Sequence, residues 1–308
     1  LVNITLGVTH KFTDKLSFNA TYLNSSYDED LREHNQANAY VKLADGSESP
    51  SRILMQCLIR QRHFRNNSFN TYFNYDVTTG PLRHRILLGY DYFQMAQQAG
   101  SSAMTAGGYL LKDGTTTTVF KPANIARYVL DTDGNPKTNV PYYDLTSNDN
   151  NIERDYSKYV FVSTALTPYL QYSHGIYLQE QLEAGPVKLL LGIRQEFFTD
   201  VLNYKTNNET HTTQHAFIPR IGAVVTINKN LNVYGTWVKG FEPQSASVKG
   251  NPNAGGPFDP EYSQLLEAGL KGEWFDKRLS TTLSFFHLQK RNTLYNANDP
   301  ANPERLEQ

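Results

Sequence analysis

Apolar and polar residues alternate with a period of two through most of this 308-residue chain. Successive side chains of an extended strand point to opposite sheet faces, so the pattern predicts strands with one apolar and one polar side. Val2, Ile4, Leu6 and Val8 alternate with Asn3, Thr5, Gly7 and Thr9, and after Thr13-Asp14-Lys15 the pattern resumes as Leu16, Phe18, Ala20 and Tyr22. These two runs predict a hairpin. A second joins Phe69, Phe73, Tyr75 and Val77 to Leu82, Ile86, Leu88, Tyr90 and Tyr92 through Thr79-Gly80-Pro81. A third joins Leu170, Tyr172, Ile176 and Leu178 to Val187, Leu189, Leu191, Ile193 and Phe197 across Glu183-Ala184-Gly185-Pro186. The fourth turns at Asn228-Lys229-Asn230 between Phe217, Ile221, Ala223, Val225 and Leu231, Val233, Trp237. The fifth turns at Phe275-Asp276-Lys277-Arg278 between Leu266, Ala268, Leu270 and Leu279, Leu283, Phe285. Five hairpins give about ten antiparallel strands.

The connections alternate as well. Every second one is a turn of a few residues, and the others are long: 24–51, 94–156, 201–214 and 241–260. Short turns at one end of a sheet and long loops at the other, with strands of about ten residues, are the arrangement of outer-membrane barrels. The fold class is therefore all-β, an antiparallel transmembrane β-barrel of which this chain is a part. Lipid would face the aliphatic stripe. The lumen would receive Arg83, Arg85, Asp91, Arg194, Glu196, Arg220, Glu267, Lys271 and Glu273, and Tyr22, Tyr90, Tyr92, Phe197, Trp237 and Trp274 would form the interface girdles. Periodicity alone leaves one alternative open, a sandwich whose polar face meets water.

Composition refines this only in part. A mean hydropathy of -0.54 fits a soluble protein, and the densest apolar run, 187–193, is broken by Lys188 and far short of the roughly 20 residues a spanning helix needs. Twenty Tyr and 16 Phe against 3 Met suit half-buried strands and water-lipid boundaries. A net charge of -1 offers no electrostatic reason to expect nucleic acid. The single cysteine, Cys57, excludes an internal disulfide framework and a cysteine-rich metal site. The chain starts directly in strand pattern at Leu1, without a leader, so its first residue is expected to lie within a longer protein.

Particular stretches narrow the class. Leu231 to Gln244, reading LNVYGTWVKGFEPQ, resembles the "nLslYasYskgFePqs" stretch of TonB-dependent siderophore receptors. Gly256-Pro257-Phe258-Asp259-Pro260-Glu261 with Leu266 to Lys271 is similar to the family's "pfdPEtseqyEvGlK" segment, and Leu279 to Phe286 with Lys290-Arg291-Asn292 continues it. Weaker similarity runs through Gly175 to Gln181 and Leu190 to Arg194, while the loops match nothing. The resemblance implies a barrel of about 22 strands occluded by an N-terminal plug, in the outer membrane of a Gram-negative bacterium, importing a ferric siderophore with energy from the TonB protein. On that reading residues 1–308 are part of the barrel domain, and the plug, the TonB-contacting segment and the closing strands lie outside the chain. Haem, vitamin B12 or an oligosaccharide as cargo, a passive porin, and a surface-binding barrel are the alternatives. The implied partners are the ferric siderophore, TonB through the N-terminal part, and outer-membrane lipid. No cofactor is implied.

No Ser/His/Asp or Cys/His set falls in a recognisable motif, so no enzyme activity is expected. His211 and His215 stand four apart at a loop-strand junction, where that spacing does not bring both rings to one metal as it does on a helix. Asp131-Thr132-Asp133-Gly134-Asn135 lacks the terminal acid of a calcium loop and reads as an Asp-Gly turn. No metal site is expected. Ligand contact is sought in the loops, where Tyr109, Phe120, Arg127, Tyr128, Tyr142, Tyr143, Phe241, Gln244 and Phe258 supply rings and donors suited to a bulky anionic iron chelate. The opposing reading is that these rings only pack the loops against themselves. The long loop 94–156 is expected to carry much of the affinity, as a lid.

Overall fold

The computed structural model describes every residue except 149, 151–154 and 250. Ten long strands follow one another in chain order and pair with their sequence neighbours: β1 Val2–Lys11, β2 Leu16–Lys42, β3 Glu48–Thr79, β4 Leu82–Gln97, β5 Tyr169–Ala184, β6 Val187–Leu202, β7 Thr210–Asn228, β8 Leu231–Glu242, β9 Glu261–Trp274 and β10 Leu279–Arg291. All five expected hairpins are present, with their turns at the expected positions. Gly80 and Gly185 take φ of 58° and 56°, a conformation in which a side chain would be strained. The registers are continuous, and the one shift in the β7–β8 pair lies between Thr226 and Asn228 beside the turn. The sheet is open, with β1 and β10 as its edges.

The chain forms two compact units. The first comprises Leu1–Ser26, Phe64–Gln97 and Pro168–Gln308; the second comprises Tyr27–His63 and Gln98–Thr167.

In the first unit, register fixes which side chains share a face. Leu88 pairs with Phe73 and Leu178, Leu178 with Ile193, Ile193 with Pro219, Trp237 with Ile221 and Leu266, and Leu270 with Val233 and Leu283. The aliphatic stripe is thus continuous across the strands, and it is exposed, with Leu88 at 50% and Ile221 at 49%. Neither of the two buried hydrophobic clusters includes a residue of this unit; both lie in the second unit. An apolar face of this extent in no contact with a second sheet rejects the sandwich and calls for lipid as its solvent.

The opposite face carries the expected charges, and they pair with one another. Arg194 donates to Asp91 at 2.6 and 2.8 Å and also to Glu196. Arg83 forks onto Asp76 at 2.6 and 3.1 Å, Tyr234 donates to Glu267 at 2.6 Å, and Arg220 meets Gln179. Gly175 and Gly192 make room for two of these groups, since a Cβ at either position would strike the Arg194 or Arg220 side chain. No described helix is long and apolar enough to cross a membrane; the strands do the crossing.

Two of the four expected long loops are shorter than the sequence implies, and a third is folded. Residues 24–51 are not a loop: β2 runs to Lys42 and β3 begins at Glu48, leaving 43–47 as the turn. The stretch 27–42 is polar on both faces, so hydrophobic alternation does not report it, yet its backbone pairs with β3. Likewise β6 and β7 extend to leave 203–209, and 94–156 contains further strands. Only 241–260 matches closely, between the end of β8 at Glu242 and the start of β9 at Glu261.

The membrane assignment predicts a face-specific cost in the full-length protein. Leu178→Arg on the apolar face is expected to destabilise folding into lipid vesicles by about 2–4 kcal/mol. Gln181→Arg on the opposite face is expected to change it by less than about 0.5 kcal/mol. Denaturant titrations in vesicles measure both, and equal costs would mean that the two faces meet the same solvent.

Candidate ligand-binding loops

The second unit is a folded module rather than a slack loop. Its scaffold is the far part of β3, where Ile53-Leu54-Met55-Gln56-Cys57-Leu58-Ile59 reads as the nearly continuous apolar run of a strand covered on both sides. Ser102–Ala106 pairs along Cys57–Gln61 and also with Val162–Ala165, while Tyr143–Asp144 pairs with Arg52 and Ile53. Met55 and Cys57 pack with Ala106, Val140 and Tyr159, beside Ile53 and Ile59. Leu54, on the other side of the strand, packs with Val41, Tyr109 and Tyr128, beside Phe120 and Tyr142. Cys57 is fully buried, and burial pushes its thiol pKa up.

This placement divides the nine sequence-derived candidates. In the second unit, Tyr109 and Tyr128 are 2% and 4% exposed, and each hydroxyl is used internally. Tyr109 accepts from the Lys42 amide at 2.8 Å, and burial raises its pKa. Tyr128 donates to the Val119 carbonyl at 3.2 Å and accepts from the Lys121 amide at 3.1 Å. Phe120 lies between them, its ring centroid 5.7 Å from Tyr109 and 4.9 Å from Tyr128. These three rings pack the module and offer little surface to a ligand. Arg127 and Tyr143 are exposed, and Tyr142 is half-buried.

Tyr142 lines a recess of about 480 Å³ together with Arg52, Lys137, Lys158, Asp131 and Asp133. The Arg52 guanidinium lies 4.7 Å from the Tyr142 ring centre and 3.9 to 4.0 Å from Asp144 and Asp133. Asp144 is held below the usual carboxylate range by the backbone and hydroxyl of Thr146. Asp131 accepts from the amides of Asp133 and Asn135 at 3.0 and 2.8 Å, with Gly134 at φ 80°, which is the expected Asp-Gly turn. Sequence reasoning missed Arg52, Lys137 and Lys158. No motif marks them; only the apolar run at 53–59 could have shown that Arg52 stands at the mouth of a folded strand.

In the first unit, the Phe241 ring lies tilted against Tyr262 at 5.8 Å, Gln244 is held by backbone bonds to the buried Gln214 side chain at 2.7 and 3.0 Å, and Phe258 is 6% exposed. The buried Asp200 also fastens this loop, accepting from the Ala246 amide at 2.7 Å. His211 and His215 both lie within β7, a correction to their expected junction, four residues and so about 13 Å apart. Among the described residues, no group of three or more His, Cys, Asp or Glu is placed to hold a metal ion.

An antiparallel sheet with one exposed aliphatic face, one charged face and short hairpin turns defines a membrane β-barrel of the outer-membrane class. The chain belongs to the TonB-dependent receptor-like β-barrel family, whose model matches residues 2–305. Barrels of this family are Gram-negative outer-membrane proteins that act in transport and are not enzymes. Among curated proteins, the chain is similar to the metal-pseudopaline receptor of Pseudomonas aeruginosa, 35% identical over 134 residues that cover 41% of this chain and 18% of that receptor. It is similar also to the ferripyoverdine receptor of the same organism, 34% identical over 110 residues, or 33% of this chain and 13% of that protein. Among solved structures, the ferric preacinetobactin receptor of Acinetobacter baumannii aligns over 99% of this chain and 40% of its own, with a TM-score of 0.65 and 16% identity. The ferripyoverdine-bound receptor of Pseudomonas aeruginosa aligns over 99% and 36%, with a TM-score of 0.64 and 16% identity. The chain thus spans less than half the length of the receptors it matches.

Tyr128→Ala is expected to cost the module about 3–5 kcal/mol through the cavity it leaves, read as rapid protease cleavage within 98–167 of the full-length protein. Protection equal to wild type would show that the ring does not hold the module. Glu29 supplies a second test. Burial raises its pKa, but hydrogen bonds and charge from Arg62 and Arg60 outweigh that and leave it below its ordinary 4.5. A depressed folded pKa contributes stability that is present above the ordinary value and lost as pH falls through the folded one. Module protection in wild type is therefore expected to hold from neutral pH down to about 4.5 and to decline below it, whereas Glu29→Gln should begin less stable and lose less on acidification.

Proposed function

We propose that this chain is the barrel part of an outer-membrane receptor that takes up a ferric siderophore, with import driven through TonB. The observation that carries this reading is membership of the TonB-dependent barrel family together with 34–35% identity to receptors named for pyoverdine and pseudopaline. The recess beside Arg52, Lys137 and Lys158, with Tyr142 in its wall, supports it, since arginine and aromatic faces suit an anionic chelate. Of the nine candidates, Arg127, Tyr142 and Tyr143 retain surface for direct contact, Tyr109, Phe120, Tyr128, Gln244 and Phe258 act by shaping the loops that present them, and Phe241 stands on the lipid-facing side of β8. TonB engages through a segment outside these residues. A second reading follows from one relative being named for metal-pseudopaline rather than for iron: a chelate of another transition metal.

In the full-length receptor, replacing both Tyr27–His63 and Gln98–Thr167 by short Gly-Ser linkers removes the second unit without leaving half of its core exposed. Affinity for the ferric chelate is expected to fall at least about tenfold, or roughly 1.4 kcal/mol, while the barrel still assembles. Equilibrium binding of radiolabelled iron chelate, alongside chelates of other metals, measures this. Unchanged binding would remove the assignment, and uptake that persists without TonB would point to a passive pore.

A further inference from the structure

The outward face of the sheet changes character at the loop end of β8, β9 and β10. Register places Val233, Leu270 and Leu283 in one row on this face, then Gly235, Ala268 and Phe285, then Trp237, Leu266 and His287. The next row is Lys239, Gln264 and Gln289, and the one beyond it is Phe241, Tyr262 and Arg291. From the short turns upward the face therefore runs from aliphatic, through an aromatic level, to a polar and basic one. Gln264 stands ten residues from Trp274 at the end of β9, about 34 Å along the strand and about 25 Å along the membrane normal at ordinary barrel tilt, which is the height of the apolar band. Lys239 and Arg291 thus emerge where hydrocarbon gives way to headgroups.

Here the sheet surface is dished into a hollow of about 420 Å³ lined by Lys239, Tyr262, Gln264, Gln289 and Arg291, with Ser263 and Asn292. The lining holds two cations, several hydrogen-bond donors and no acid. The Lys239 ammonium lies 5.6 Å from the centre of the Trp237 ring, and Arg291 donates to Gln289 at 3.3 Å. Neither cation pairs with a carboxylate among the described residues, whereas Lys290 on the opposite face pairs with Glu261 at 2.6 Å. At the corresponding loop end of β4, β5 and β6 the same face carries Tyr90, Tyr92, Tyr172, His174 and Phe197 instead.

We propose that this hollow binds the phosphorylated headgroup of a membrane lipid. Lys239 and Arg291 supply the charge, Gln264, Gln289 and the Tyr262 hydroxyl supply donors to phosphate oxygens, and the acyl chains lie down the apolar rows beneath. The site rests on this face meeting lipid and is independent of which cargo the receptor carries.

The test uses the full-length receptor in neutral phosphatidylcholine vesicles, with and without phosphatidic acid, and reads the unfolding temperature as that lipid is titrated. Phosphatidic acid is expected to raise it in the wild type and in Lys188→Gln, a substitution on the opposite face. The double variant Lys239→Gln/Arg291→Gln should need about tenfold more of the lipid, or beyond, for the same rise. Iron-chelate binding by the double variant is expected to match wild type, which separates failure of this site from failure of the uptake assignment. An unaltered titration in the double variant would overturn the proposal. So would an equal rise with millimolar inorganic phosphate in phosphatidylcholine alone, since the site would then serve a soluble anion.

Discussion

In a bilayer core no water is present to satisfy a backbone amide or carbonyl, so every such group on a crossing segment has to be paired within the protein. The sheet is organised around that requirement. The β5–β6 and β6–β7 pairs run unbroken over sixteen residues each, the β7–β8 pair spans 220–228 against 231–238, and the one shift in that pair sits beside a turn. With the backbone satisfied edge to edge, side chains are free to differ on the two faces. One is a lipid-facing stripe of Ile, Leu, Val and Phe, and the other is a set of hydrogen-bonded ion pairs centred on Arg194 and Asp76.

Where the strands leave the bilayer the constraint lapses, and the architecture changes accordingly. The far part of β2 carries polar side chains on both faces, with Glu29 paired to Arg60 and Arg62 of β3. Stability in the second unit comes from two small conventional cores built on either side of β3. Tyr109 and Tyr128 are buried there with both hydroxyls satisfied.

Strand identity, pairing order, turn positions and the two faces of the sheet were all legible in the chain, because period-two alternation is a local property and each hairpin joins neighbours in sequence. The resemblance at Leu231 to Gln244 and beyond likewise rests on contiguous residues. The candidate site was legible only as a loop enriched in rings. Which rings pack and which face outward depends on contacts between 41–59 and 106–161, and no local pattern encodes those. The extension of β2 through 27–42 was invisible for a related reason: a strand in water with polar residues on both faces has no hydrophobic period to read.

By itself, then, the sequence determined an all-β membrane sheet, its hairpins and its family, since lipid imposes the alternation residue by residue. Only the tertiary structure decided that the long loop is a folded module, that Arg52, Lys137 and Lys158 gather at one recess, and that Lys239 and Arg291 share a hollow on the outward face. The physical reason is the same in each case: these residues are far apart along the chain and become neighbours only through cross-strand register and loop packing.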